Sequence, residues 1–389
     1  MHYYDRHTSA FGRWYDWLGV LLALLVAWLI GQFALTSPFA TILANIDPEA
    51  AARSQELMLA AATENTAKVG LLGLGVLLVL LGAALGGIAL LVHYLGARGA
   101  GSRVTMVVGT LILLVGLFPL FIGNGALADA NAVMMSVIGL SPLAYALMLL
   151  TFPAALAGLY FGWKLIFERD LTSLHTVFER VSWGRILQSF AITWIVLGGF
   201  SFVARALGLS EPAFVFDASR FATFAVLSLL LLPIQSATEE IVVRGFMNRG
   251  LIRFLGNKWV AFTLTSALFM ALHLANPEAR AGAEAGILPI VMSGYFFFGF
   301  AACLMVLIDD GLESAIGVHA ANNTFAAIFV NYENSALPTP SVWQVPQEPT
   351  GDAISVIIVL SIILGLLWVT RKPWLERRRA LDTAYTPSA

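Results

Sequence analysis

Charge is scarce in this chain: Asp, Glu, Lys and Arg make up only 12% of its 389 residues, about half their share in a water-soluble domain. That scarcity, with 59% hydrophobic residues and a mean hydropathy of +0.81, excludes a soluble globular domain and points to a polytopic membrane protein. Cysteine is nearly absent as well. The single Cys303 sits in an apolar stretch, which excludes a disulfide framework or a cysteine-built metal cluster and reads as a small hydrophobe in a helix. A net charge of -2 without a basic face excludes nucleic acid as a partner. The lipid bilayer is the partner this composition implies.

Apolar runs long enough to cross a bilayer fall near 15–36, 69–95, 104–123, 142–166, 186–207, 221–238, 259–275, 286–308, 313–331 and 353–370. The fold expected is all-α, a transmembrane helical bundle of about ten spans. The first run follows Arg13 and is too long for the apolar core of a secretory signal, so it reads as a retained anchor. Positive residues collect in alternate loops. Seventeen of the 22 fall in the segments that are inside when the N-terminus is cytoplasmic, among them Arg6, Arg98, Lys372, Arg377, Arg378 and Arg379. Both termini are therefore expected on the cytoplasmic side. One inside turn, "DDGLES", has no positive residue. In the first half, Gly82 and Gly86 in "GAALGG" read as a close helix contact, and His93 and His175 as interfacial or solvated histidines. The proline- and acid-rich stretch 332–352 reads as an irregular external connector.

Ionisable groups inside apolar helices are expensive, and three sets occur after about residue 221. "EEIVVRG" carries Glu239, Glu240 and Arg244; "FMALHL" carries His273 four residues after Phe269; "HAANN" carries His319 and Asn323. Glu240 and Arg244, four apart with the acid first, suit an ion pair along one helix face. Glu239 lies about 140° around an α-helix from Arg244 and is freer to face a cavity. A desolvated carboxylate is a stronger general base, so Glu239 is the candidate base, with Glu240 and Arg244 in support. His319 and Asn323 project from one helix face and can donate to an oxyanion, and His273 can orient a water. Glu239, His273 and His319 could equally hold a divalent metal such as zinc with an open position. Each set alone is weak. A lone membrane histidine or asparagine is more often packing glue, but all three sets fall between residues 239 and 323.

Those residues, over roughly 221–331, resemble the CAAX protease and bacteriocin-processing (Abi) family of intramembrane endopeptidases, which includes the type II CAAX prenyl endopeptidases. The family motifs EExxxR, FxxxH and HxxxN are matched by Glu239, Glu240 and Arg244, by Phe269 and His273, and by His319 and Asn323. The resemblance implies a hydrolase cutting peptide bonds of a membrane-associated protein or peptide. Glu239 would activate water with help from His273, and His319 and Asn323 would stabilise the tetrahedral oxyanion. It leaves metal-free and zinc-assisted mechanisms both open. The matched region defines an expected protease core at 211–335, after an accessory region of five spans at 1–210 and before a last helix and basic tail at 336–389. Compact loops and no targeting sequence suggest a bacterial inner-membrane protein. A scaffold or bacteriocin-immunity factor that keeps the fold would be expected to lose a catalytic side chain, and none is lost. A proton-coupled transporter would be expected to distribute such residues over two repeated halves, whereas here they cluster in one.

Overall fold

The structure is a computed structural model that describes residues 3–4, 12–96, 99–332 and 335–385, with backbone alone for 349 and 372–385. Of the positive residues that bear on topology, Arg6 and Arg98, and the side chains of Lys372, Arg377, Arg378 and Arg379, lie outside the described part. The chain divides into two compact units: 12–170, and 171–389 together with the first eleven residues.

The first unit contains α1 (Trp14–Thr36), α2 (Phe39–Ile46), α3 (Pro48–Glu64), α4 (Thr66–Tyr94), α5 (Ala100–Asn124), α6 (Ala128–Met135), α7 (Val137–Leu140) and α8 (Pro142–Phe167). α4 packs along α5, and α1 along α8. The α4–α5 seam is built on glycines seven residues apart, Gly75 and Gly82 facing Gly109, Gly116 and Gly123. A Cβ on any of these would run into backbone of the opposite helix. In lipid there is no hydrophobic gain from helix association, so such close backbone contact is what holds two helices together. Gly82 and Gly86 do serve packing, Gly86 against Leu22 of α1.

The second unit contains α9 (Thr172–His175), α10 (Trp183–Ala206), β1 (Ala213–Phe214), α11 (Ala218–Glu240), a π-helix (Ile241–Met247), α12 (Asn248–Leu255), α13 (Lys258–Leu272), α14 (Pro277–Glu284), α15 (Leu288–Asp309), α16 (Glu313–Ile328), β2 (Val330–Tyr332), β3 (Trp343–Val345) and α17 (Pro349–Tyr385). α16 is its central helix, buried at every residue from Glu313 to Ala321. α10 and α11 both pack on it. α10 thus packs within the second unit, whose contact boundary falls at 170, ahead of residue 211, where the resemblance begins the protease core. The reason is polar as well as apolar: Trp194 Nε1 donates to the Ala321 carbonyl at 3.0 Å and to Thr324 Oγ1 at 3.2 Å.

The turn from α15 to α16, "DDGLES", has no positive residue of its own and is neutralised from another helix. Asp309, fully buried, receives two nitrogens of the fully buried Arg185 guanidinium, Nη2 at 2.8 Å and Nε at 3.1 Å, and also Ser314 N at 3.1 Å. The cation for this turn comes from α10.

Against the ten membrane-crossing helices expected, eight among the described residues are long and apolar enough, or nine if α13 and α14, bent by 85°, form one broken span. The difference lies in α13 and α16, at 15 and 16 residues. Each is about 23 Å long, short of the roughly 30 Å hydrocarbon thickness. The stretch 332–352 is also more than a connector: it contains β3, which pairs antiparallel with β1 (Phe214 opposite Trp343) and parallel with β2 (Asn331 opposite Gln344), in the order β1-β3-β2.

His175 is half-buried rather than solvated, and burial, aided by Arg249, lowers its imidazole from the ordinary 6.5 to about 4. The unfolded chain therefore takes up a proton below about pH 6.5 that the folded protein refuses until about pH 4. Stability is complete above that window and is lost as pH falls through it. The thermal midpoint should drop between pH 7 and pH 5, and the drop should be smaller in His175→Gln; an equal drop in both proteins would remove His175 as its source.

Candidate active site

α11 begins at Asp217, whose side chain accepts from Ser219 N, and passes Pro233, which lacks an N–H, into "QSATEE". It does not end at Glu240. It continues through the π-helix and α12 to Leu255. Glu239 lies sixteen residues before Leu255 and His273 fifteen after Lys258, so both stand about 23 Å from the α12–α13 turn. A straight span ending near residue 238 would have left Glu239 at the boundary; the prolonged helix brings it level with His273.

Arg244 pairs with Glu240, as the spacing predicts, with Nη1 donating to Glu240 Oε1 at 3.1 Å and both side chains fully buried. Its Nη2 donates to the Gly299 carbonyl at 3.1 Å, and its guanidinium lies over the Phe269 ring, 4.8 Å from the centroid. The hydrogen-bond pattern of a π-helix runs five residues back, which carries Arg244 nearer to the face of Glu239 than an α-helical wheel implies. The two carboxylates share a partner across the unit. His319 Nδ1 lies 2.7 Å from Glu240 Oε1, and its Nε2 lies 3.7 Å from Glu239 Oε2.

That arrangement has a definite proton logic. The ionised carboxylate of Glu240 can only accept, so Nδ1 carries the hydrogen between them. The neutral His319 ring then presents a lone pair to Glu239, and the protonated ring presents an N–H. At 3.7 Å the Nε2–Oε2 gap is too long for a good direct hydrogen bond, and is a separation that a water about 2.8 Å from both atoms would bridge.

Asn323 is one turn beyond His319 on α16. Its Nδ2 donates to Gln235 Oε1 at 3.0 Å and to Ser236 Oγ at 3.3 Å, and Gln235 Nε2 donates to Glu239 Oε1 at 2.5 Å. Asn323 is therefore tied to Glu239 through Gln235. Gln235 and Ser236 belong to none of the three motifs. Their one signal in the sequence is a buried amide a helical turn before Glu239 in an otherwise apolar helix.

His273 caps α13. Its Nδ1 is 2.7 Å from the Phe269 carbonyl, which can only accept, so the neutral ring carries its hydrogen there and leaves Nε2 as a lone pair. Phe269 is the hub of this side: its ring centroid lies 4.5 Å from that of His273 and 6.2 Å from that of His319. Glu240, Arg244 and His319 thus form one hydrogen-bonded group and Glu239, Gln235 and Asn323 a second, facing each other across the 3.7 Å between His319 Nε2 and Glu239 Oε2, and His273 adjoins them through Phe269.

Zinc would need three donors converging on one point, and among the described residues no three His, Cys, Asp or Glu side chains do so. In both histidines Nδ1 is engaged, on Glu240 and on the Phe269 carbonyl, which leaves Nε2 of each as the nitrogen a metal would use; as arranged, those nitrogens and Glu239 do not converge on one point.

Residues 221–325 match the family model described as Type II CAAX prenyl endopeptidase Rce1-like. A relative from Bacillus subtilis (strain 168), described as uncharacterized protein YyaK, is 29% identical over 223 residues, covering 56% of this chain and 73% of its own length. No protein of solved structure matches.

Proposed function

Since residues 221–325 of this chain belong to the Rce1-like, type II CAAX prenyl endopeptidase family, we propose that the protein is an intramembrane endopeptidase in which Glu239 activates water. One observation supports this reading above the others. Of the two adjacent carboxylates, Glu240 is committed to Arg244 and His319, whereas Glu239 keeps an oxygen 3.7 Å from His319 Nε2 and retains 21% side-chain exposure. One carboxylate is committed to its buried partners, and the other is partly exposed at a distance from His319 that a water would bridge.

Glu239 takes a proton from that water as the oxygen adds to the scissile carbonyl carbon. The carbonyl oxygen becomes an oxyanion within reach of N–H donors: Nε2–H of protonated His319, and Nδ2 of Asn323 once it exchanges Gln235 or Ser236 for the substrate. His273 Nε2, as an acceptor, orients the attacking water. The proton held by Glu239 passes to the departing amine, and the C–N bond breaks. The substrate is a membrane-associated peptide or protein, and the setting is a bacterial cell membrane, a reading supported by the Bacillus source of the relative.

The test uses detergent-purified wild type and Glu239→Ala, with farnesylated and unmodified peptide libraries, with and without a chelator. Cleavage by the wild type alone, unaffected by chelator, is the expected result. Equal cleavage by both proteins sinks the assignment of Glu239, and chelator-sensitive cleavage restored by zinc would replace the metal-free step. The prenyl dependence of the wild type then defines the substrate class.

Gln235 offers a second check. Gln235→Leu removes a hydrogen bond to a carboxylate, an interaction of about 1.5–3 kcal/mol, so turnover should fall about 10- to 100-fold at saturating peptide; an unchanged turnover would show that Glu239 needs no such support.

A further inference from the structure

The chain breaks at His273. α13 ends there, Asn276 N closes the turn onto the His273 carbonyl at 3.1 Å, and α14 leaves at 85°. A residue at such a break has little helix around it to fix its side chain. The Nδ1 contact with the Phe269 carbonyl leaves the imidazole plane able to rock about it. What restrains the plane is aromatic. The ring lies between Phe269, centroid 4.5 Å away at 39°, and Tyr295 of α15, centroid 4.5 Å away at 29°.

Tyr295 is itself anchored at its far end. Its hydroxyl accepts from Asn276 Nδ2 at 3.1 Å, in the turn that leads into α14. One side chain thus touches the His273 ring and Asn276, the N-cap of α14, on either side of the bend. None of the three motifs includes it.

We propose that Tyr295 is a positioning residue for the hydrolytic reaction: its ring fixes the plane of the His273 imidazole, and so the direction in which Nε2 presents its lone pair. This rests on the reading of His273 as the residue that orients water. Offset stacking between rings about 4.5–7 Å apart is favourable in itself, so the same contact could serve packing alone. Removal of the ring separates the two roles. Packing alone would lower stability and leave the imidazole as it was; positioning would release the imidazole.

The experiment uses full-length wild type, Tyr295→Phe and Tyr295→Leu in detergent, labelled with 15N-histidine, with His273 signals assigned through His273→Gln. Wild type and Tyr295→Phe are expected to show one Nδ1-protonated tautomer near neutral pH, and Tyr295→Leu a mixture with an altered titration. With peptide substrate, kcat of Tyr295→Leu should fall about 10- to 100-fold, the range typical of supports behind an active group. KM should be unchanged, and Tyr295→Phe should recover most of the activity. Wild-type His273 signals in Tyr295→Leu overturn the proposal whatever the activity. Signals in Tyr295→Phe as disturbed as those in Tyr295→Leu overturn it too, because the hydroxyl and not the ring would then carry the effect. If Glu239→Gln cleaves as well as wild type while Tyr295→Leu releases the imidazole, the hydrolase reading fails and the positioning of His273 by Tyr295 stands.

Discussion

Glu239→Gln is expected to lower turnover about 10²- to 10⁴-fold, the usual contribution of a positioned general base, without lowering the thermal midpoint, whereas Glu240→Gln should lower both. The two carboxylates are neighbours in sequence and opposites in environment. Glu239 has 21% side-chain exposure and meets the Gln235 amide and the more distant His319 Nε2. Its amide replacement keeps the shape and one acceptor, and loses the ability to take a proton. Glu240 has no exposed side-chain surface and neutralises Arg244, also fully buried. Its amide replacement leaves a buried guanidinium uncompensated, a change that costs about 3–5 kcal/mol when a buried pair is broken. It also loses the carboxylate that holds His319 Nδ1. Turnover and the unfolding midpoint of both variants, measured in one detergent, separate the two effects. A Glu239→Gln protein that melts earlier than Glu240→Gln would reverse the assignment of which carboxylate is structural.

The second large effect lies away from the chemistry. Arg185→Met should destabilise the protein by about 3–5 kcal/mol, because it strands the buried Asp309 carboxylate in an apolar setting. Arg185 gives Asp309 its Nε and Nη2 and gives Nη1 to Gln188 Oε1 at 3.0 Å and Thr370 Oγ1 at 2.8 Å, so α10, the α15–α16 turn and α17 meet on one guanidinium. The double variant Arg185→Met with Asp309→Leu should regain most of the loss, since two apolar residues leave no unpaired charge. Urea or thermal unfolding of the two single variants and the double variant gives the coupling directly. Purely additive losses would show that the pair does not act as a unit.

Whatever depends on residues close in the chain is legible in the sequence. The Glu240–Arg244 pair follows from a spacing of four, and a shared face for His319 and Asn323 follows from the same rule. That these residues belong with His273 comes from their joint occurrence, which resembles a known family. What escapes a sequence reading depends on partners far along the chain or on backbone that departs from regular geometry. No spacing rule announces the π-helix at 241–247, which changes the angle between Glu239 and Arg244. β3 is three residues long and exists because strands from two other segments pair with it. α10 lies in the half that reads as accessory because Arg185 and Trp194 are isolated polar groups in the sequence, and their partners, Asp309, Ala321 and Thr324, are more than 120 residues away. Tyr295 is hidden for the same reason, since the Asn276 amide it meets lies 19 residues away.

The two short helices, α13 and α16, bear on the supply of a reactant. Hydrolysis consumes one water per bond, and an oily interior is a poor reservoir. A helix of about 23 Å cannot fill a roughly 30 Å hydrocarbon layer, so several ångströms at its ends must be met by thinned lipid or by other parts of the protein. The cost is a fraction of a kcal/mol per ångström, small enough for a stable fold to absorb. Because His273 sits at one such end, brevity that looks like a defect in a membrane span would, on the reading proposed for His273, shorten the distance between bulk solvent and the bond to be cut.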